Sequence, residues 1–305
     1  MLQCSGSMGV SSLFSVMSCA LDMLFNFFLI FPTRQLALFG AEITMPGAGL
    51  GVAGASLGTE LAKMAAAIPM FIYLTRRSPV LRLSEKGRWR PERSILRRAI
   101  SIGLPMGIEQ TITCGAYVAS TVIVSPLKNA ALAAHSFAVT TESFCYMPGF
   151  GLGSAATTLV GQSIGAGKPK LARNLGWLTI ALGSGFMAIA GVVIYFTCPY
   201  ILSFLTPVQE VRDLGVMALR TELWAEALYG ASIVATGALR GAGDTMVPGI
   251  LNIASMWGVR ITLSLIFVNC GMGLKGVWLA MAIELSVRGI LMLIRYARGR
   301  WLKKV

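Results

Sequence analysis

The chain has 305 residues, of which 55% are hydrophobic and only 13% charged, with a mean hydropathy of +0.71. Apolar runs near or above the ~20 residues needed to cross a bilayer recur along it, which excludes an ordinary soluble domain. Its net charge of +13 is distributed as a membrane-topology signal and not as a nucleic-acid footprint. Eight spans can be drawn, at about 10–31, 52–75, 99–125, 130–163, 175–197, 213–239, 247–269 and 274–296. Nine Lys and Arg lie between Arg76 and Arg98, three between Lys168 and Arg173, one at Arg240 and five between Arg295 and Lys304. The alternate loops hold only Arg34, Lys128, Arg212, Arg220 and Lys275. This alternation is the positive-inside pattern, and it places both termini in the cytoplasm.

Taken in order, the opening MLQCSGSMG has no basic stretch before an apolar core, so no signal peptide is expected. The first span carries Asp22 and Asn26 one turn apart on one face. A carboxylate at that depth must face protein or water. A longer loop follows, roughly 32–46, and then a glycine loop, Gly49-Leu-Gly-Val-Ala-Gly54. No strand is expected before the string GxGxxG, and Gly54-Ala-Ser-Leu-Gly58 spells GxSxG on a membrane helix, so both enzyme readings are set aside. The same spacing reads instead as a face of small residues for helix packing. Glu60 and Lys63 sit side by side on the second span. Residues 76–98, RRSPVLRLSEKGRWRPERSILRR, form the one long polar connector, a basic strap suited to the cytoplasmic surface.

The third span begins GLPMGIEQ, with Pro105 placed to kink it and Glu109 one turn on. The fourth puts Glu142 mid-membrane, then Pro148-Gly149, then a run of small residues and a basic turn. The small residues let a neighbouring helix approach closely, and the Pro-Gly pair lets this one bend. Glu222 and Glu226 share a face of the sixth span, with Glu222 nearer the outer surface and left aside for that reason. Arg260, and Glu284 with Arg288 at i,i+4, complete the ionisable set inside the spans. Glu284 beside Arg288, and Glu60 beside Lys63, read as structural pairs, with Arg260 as a further structural charge. Glu142 and Glu226 have no local basic partner and read as cation or substrate ligands. Glu109 is open to either role. His135 and the six cysteines read as packing residues, without the spacing of a metal site or disulfide framework.

One backbone pattern occurs twice. Leu2, Gly6, Val10 and Ser18 match Leu239, Gly243, Val247 and Ser255 at one offset. Gly49, Gly51, Gly54 and Leu57 match Gly271, Gly273, Gly276 and Leu279 at a second. The expected fold is therefore an all-α polytopic membrane protein of eight transmembrane helices. It has one complete six-helix lobe plus the last two helices of a repeated first lobe. The units are 1–75 as the partial first lobe, 76–98 as cytoplasmic linker, and 99–305 as the second lobe with a basic tail.

MPGFGLGSAATTLVGQSIGAGKPKLAR, together with SIVATGALRGAGDTMVP, resembles the multidrug and toxic compound extrusion (MATE) family of cation-coupled transporters. The resemblance runs over essentially the whole chain. It implies a twelve-helix template in two six-helix lobes about a cleft, on which these helices resemble the fifth to the twelfth, so four upstream helices are expected. It further implies export of amphipathic or cationic compounds against inward Na⁺ or H⁺, with no cofactor beyond that coupling ion. Glu142 and Glu226 fall in stretches that match the family pattern. Thr113 stands where the family's seventh-helix glutamate usually falls, with Glu109 one turn earlier on the same face.

The residues themselves suggest a mechanism for such transport. A carboxylate in a partly dehydrated cleft can hold a proton, a Na⁺ or a cationic drug, and competition among these with a two-state lobe motion is antiport. Pro105, Pro148 and Gly149 supply hinges, and Glu142, Glu226, Glu109, Asp22 and Asn26 are the candidate ligands. Phe144, Tyr146, Met147, Trp224 and Tyr229 are candidates for cation–π and apolar contacts. The alternatives are a lipid or polysaccharide flippase of the wider superfamily and an inactive fragment. The partners expected are small substrates and the bilayer of the cell membrane, with no nucleic acid.

Overall fold

The computed structural model describes residues 8–38, 41–76 and 92–304. The chain divides into two compact units, Met1–Arg90 and Pro91–Val305. Of the basic strap expected at 76–98, residues 77–91 lie outside the described ones.

In the first unit, α1 (Met8–Ile30) leads into a hairpin of β1 (Pro32–Leu38) and β2 (Ala41–Ala48), and α2 (Gly51–Arg76) follows. The strands pair antiparallel with Gln35 opposite Thr44 and Leu36 opposite Ile43. The stretch expected as a loop is therefore a β-ribbon, and a strand does precede the Gly49–Gly54 string, although it belongs to an antiparallel hairpin and not to the parallel βαβ unit that a dinucleotide site needs. The ribbon's sequence alternates too weakly to announce strands, and the ladder satisfies backbone groups that an open loop would leave to water. α2 buries Gly54, Gly58, Ala62 and Ala66, one residue per turn. A Cβ at Gly54 would strike the Leu29 backbone, and one at Gly58 would strike the Asn26 side chain. This stripe of small residues sets the approach of α1 and α2.

The second unit holds α3 (Arg93–Val124), α4 (Asn129–Gly165), α5 (Pro169–Leu205), α6 (Gln209–Glu222) and α7 (Glu226–Gly241). It continues with α8 (Met246–Ser255), α9 (Thr262–Asn269) and α10 (Gly273–Ala297). These match the spans read from sequence, with two interruptions that the apolar pattern does not carry. A 3₁₀ turn, Leu223–Ala225, separates α6 from α7, and a π-helical turn, Met256–Ile261, separates α8 from α9. Such breaks in a membrane helix persist where neighbouring protein surrounds them.

Close approach of α4 and α7 organises this unit. A Cβ at Gly237 would collide with the Gly153 carbonyl, and one at Gly241 with that of Thr157. The Thr157 hydroxyl donates across the crossing to the Gly237 carbonyl at 2.8 Å. The run of small residues after Pro148 thus forms a helix crossing held by a backbone-directed hydrogen bond. α5 packs behind both, where Gly176 leaves room for the Tyr296 hydroxyl, which donates to the Arg173 carbonyl at 3.1 Å.

Among the described residues, five stretches are long and apolar enough to cross a membrane: Gly9–Ile30, Gly51–Arg76, Pro169–Leu205, Met246–Asn269 and Gly273–Ala297. The other three spans are α3, α4 and the α6–α7 pair. They carry Glu109, Glu142, Glu222 and Glu226, all buried inside the unit. Outward-facing apolar residues such as Ile189, Phe196 and Phe204 are exposed, as lipid contact requires. The two copies of the repeat share a backbone signature. Gly49 and Gly51 have φ of +63° and +53°, and their counterparts Gly271 and Gly273 have +82° and +56°. Only glycine adopts these values without strain, which is why the identities survive there.

Candidate functional site

Glu142 lies about a third of the way along α4, Glu222 ends α6, and Glu226 opens α7 on the far side of the 3₁₀ turn. The turn brings the two acids of the broken helix toward the same place. One carboxylate oxygen from each of the three lies within 4.8 Å of the others, and all three side chains are buried. No nitrogen or oxygen donor among the described residues bonds the carboxylates of Glu222 or Glu226. The thiol of Cys145, one turn after Glu142, lies beside Glu226. α5 closes the site from behind, where a Cβ at Gly191 would meet the Glu226 side chain at 3.2 Å.

Electrostatics limits what this trio can carry. Two full charges about 5 Å apart repel by about 3–4 kcal/mol at an effective dielectric of about 20. Three carboxylates buried this close together, two of them without a nitrogen or oxygen donor among the described residues, therefore call for compensation by protons or by a cation. A site that must take up positive charge is what exchange of cations requires.

A second group of charges is paired in one network, three arginines on two glutamates. Glu284 accepts from Arg260 Nε at 3.1 Å and Nη2 at 2.8 Å, and from the Ser255 hydroxyl. Arg288 Nε lies 3.1 Å from the other side of the same carboxylate, and its Nη1 donates to Asn252 Oδ1 at 2.7 Å. Asn252 Nδ2 in turn donates to Glu109 Oε1 at 3.0 Å. Arg240 Nη2 reaches both Glu109 oxygens at 2.8 Å. One continuous network thus ties α3, α7, α8, the π-helical turn and α10 together. The π-helical turn carries Arg260 as its fifth residue and sets it facing Glu284.

Two cavities adjoin these groups. One of about 460 Å³ is lined by Glu142, Arg260, His135, Tyr146 and Tyr229, among others. The other, of about 250 Å³, is lined by Glu109, Thr113, Arg240, Asn252 and Arg288, among others. They share Gln110, Tyr117, Phe150 and Tyr229 as walls. Tyr146 packs edge-on against both Phe150 and Tyr229, with ring centroids 5.8 and 6.1 Å apart. The guanidinium of Arg288 sits 5.2 Å from the Tyr229 ring centre.

The structure brings Glu142 and Glu226 together and adds Glu222. Sequence depth had set Glu222 aside as too near the surface, but the broken helix turns it inward and buries it completely. Its i,i+4 spacing to Glu226 was the signal available. Glu109 stands apart from the trio, held by Arg240 and Asn252, and Glu284, Arg260 and Arg288 form one cluster. The Arg240–Glu109 pair links residues 131 apart and has no local signal. The same holds for the pair of Arg295 and Asp244, at 2.6 Å. Glu60 and Lys63 pair at 3.0 Å with both side chains well exposed, while Asp22 and Asn26 each keep a buried oxygen without a partner among the described residues. Pro105 lies inside α3 and Pro148 inside α4, and Gly149 packs against Met187. Of the aromatic and Met candidates, Tyr146 and Tyr229 line the cavity, whereas Phe144, Met147 and Trp224 are exposed.

Residues 105–266 match the protein-family model MatE. The chain is similar to a "Probable multidrug resistance protein NorM" of Brucella suis biovar 1 (strain 1330), 34% identical over 252 residues, covering 79% of this chain and 54% of that relative. Similarity to a protein of the same description from Idiomarina loihiensis is 29% over 275 residues, covering 88% and 58%. The chain thus spans about half the length of the curated relatives it matches. Among solved structures, "Crystal structure of MATE in the straight conformation" superposes with a TM-score of 0.84 at 19% identity, covering 98% of this chain and 64% of that one. "Outward-facing conformation of a multidrug resistance MATE family transporter of the MOP superfamily" superposes with a TM-score of 0.80 at 20% identity, covering 96% and 63%.

Proposed function

The chain belongs to the MatE family, and on that premise we propose that it is a secondary active transporter, not an enzyme, which exports small amphipathic, chiefly cationic, compounds in exchange for inward Na⁺ or H⁺. The observation that carries this reading is the buried trio of Glu142, Glu222 and Glu226, in which no nitrogen or oxygen donor among the described residues bonds Glu222 or Glu226. A cationic substrate, a Na⁺ or protons can each compensate the trio, but not all at once, so occupancy by one expels another. Exchange becomes transport when the occupied and empty lobes favour different orientations of the cavity.

Each residue then has a distinct task. Glu142 faces the 460 Å³ cavity, where Tyr146 and Tyr229 offer aromatic faces to an amphipathic cation. Glu222 and Glu226 flank the 3₁₀ break, so the charge on the trio bears on the geometry between α6 and α7. Glu109 is committed to Arg240 in this conformation, and the Arg260–Glu284–Arg288 cluster holds the cavity wall rigid. Pro105 and the Pro148-Gly149 pair are the hinges. The chain is placed in the cell membrane with both termini cytoplasmic, on the support of the Lys and Arg alternation.

Reconstitution into proteoliposomes of the chain together with the four upstream helices that the family template implies tests the proposal, since alternating access needs two lobes and this chain alone is not expected to couple flux to a gradient. Rhodamine 123 flux should follow an imposed Na⁺ or pH gradient and reverse when the gradient is reversed. Glu142→Gln and Glu226→Gln should abolish this driven flux while insertion stays normal. Gradient-driven flux that survives in both variants would refute the assignment.

A further inference from the structure

His135, the single histidine of the chain, has no task in the transport reading, yet it lines the 460 Å³ cavity on which Glu142 opens. The sequence alone makes it a packing residue, and the ring does pack edge-on against the fully buried Trp278 of α10, with centroids 5.8 Å apart. Packing does not account for its nitrogen. Nδ1 is enclosed and finds no hydrogen-bond partner among the described residues. Buried histidines are ordinarily fixed in one tautomer by such a bond, and without it this ring is free to gain or lose a proton.

Its place along α4 gives that proton a route. His135 and Glu142 are the seventh and fourteenth residues of the helix, two turns or about 10 Å apart on one face. On the proposed orientation α4 starts at the outer surface, which puts His135 between outside water and the carboxylate trio. Val139 lines the wall between them and carries no proton, so transfer runs through water. Ser120 and Thr121 give the wall hydroxyl groups, and at about 30 Å³ per molecule the cavity has room for the few waters needed. The other charged or titratable groups on the cavity are Arg260 from the π-helical turn, Tyr117 from α3, Tyr146 from α4 and Tyr229 from α7. Arg260 is engaged by Glu284, which leaves Glu142 as the carboxylate that receives.

We propose that His135 is the proton relay between the outer face and the carboxylate trio, which makes H⁺ a coupling ion of this chain. An imidazole nitrogen takes up a proton arriving from outside, and the imidazolium hands one through the cavity water to a Glu142 oxygen. The ring returns to neutral, Glu142 becomes its acid and the displaced cation leaves, so one positive charge replaces another at the trio. The proposal rests on reading the trio as the site where a coupling ion and a cationic substrate compete. It adds to that reading the identity of an ion and its path.

Stopped-flow acidification of rhodamine 123 bound to the purified chain in nanodiscs, followed by fluorescence polarisation, tests it. His135→Phe should slow acid-driven release of the dye by about tenfold or more, while the amount released at equilibrium stays that of wild type. His135→Ala should be slow likewise, and free imidazole should restore its rate by filling the vacated space. The same imidazole should do nothing for His135→Phe, where the ring position is occupied. A merely structural role would shift the equilibrium and would not respond to imidazole. Wild-type rates in both variants, or slow release that imidazole leaves unchanged in His135→Ala, would overturn the relay. Dye displaced from wild type by Na⁺ but not by acid would also overturn it and leave the cation site standing. Displacement by neither ion counts against both readings.

Discussion

Glu284→Gln is the substitution that the buried charges should resist most. The side chain is fully buried, and it accepts from Arg260, from Ser255 and from the Arg288 side. Glutamine keeps the volume and removes the charge, so any loss is electrostatic. Arg288 retains Asn252 at 2.7 Å, but the single amide oxygen cannot serve both the Arg260 side, at 3.1 and 2.8 Å, and the Ser255–Arg288 side, and both guanidinium groups lose the opposing charge. Breaking one buried pair from one side costs about 3–5 kcal/mol. Scaled as for a soluble domain of about 200 residues, that lowers the melting temperature by about 6–20 °C. Thermal challenge in detergent followed by fluorescence-detected size exclusion reads this directly. Arg260→Met placed on top of Glu284→Gln should recover part of the loss, because it removes the stranded charge. A Glu284→Gln melting temperature within about 2 °C of wild type, or strict additivity in the double variant, would refute the reasoning.

Other expectations follow from packing and topology. Gly237→Ala should lower thermal stability by about 1–3 kcal/mol, because its Cβ meets the Gly153 carbonyl, whereas Gly185→Ala, with open space around it, should be neutral or mildly stabilising. Equal melting temperatures for the two would contradict the tight α4–α7 crossing. In a background without native cysteines, Lys128→Cys should react with an impermeant maleimide on intact cells and Lys168→Cys only after permeabilisation. The opposite pattern would invert the proposed orientation. Glu222→Gln should weaken Na⁺ or proton coupling as Glu142→Gln does, and normal coupling would remove Glu222 from the site.

The sequence and the structure agree most closely where a single helix determines the outcome. The spans are legible because lipid demands long apolar runs, and the paired glycines at 49, 51, 271 and 273 because positive φ demands glycine. The turn Leu223–Ala225 and the π-helical turn at Met256–Ile261 are not legible, since their sequences stay helical in character and tertiary packing alone breaks them. That break is why depth along a continuous helix does not reveal that Glu222 is buried beside Glu226. The sequence separated Glu142 and Glu226 from Glu284 by the presence of a neighbouring arginine. It had no means of finding Arg240 beside Glu109, or Arg295 beside Asp244, across such separations. The β-ribbon at 32–48 escaped for a related reason, because its pairing is specified by the ladder and not by side-chain alternation.

The central claim is that cation uptake and substrate binding share the trio of Glu142, Glu222 and Glu226. Equilibrium binding of rhodamine 123 to the purified chain, titrated with Na⁺ at fixed pH and with acid at fixed Na⁺, tests it most directly. The account predicts that at least one of the two ions displaces the dye competitively in the wild type. It also predicts that Glu142→Gln and Glu226→Gln bind the dye more weakly and lose that competition. Displacement by the same ion, with the same midpoint, in both variants and in the wild type would contradict it.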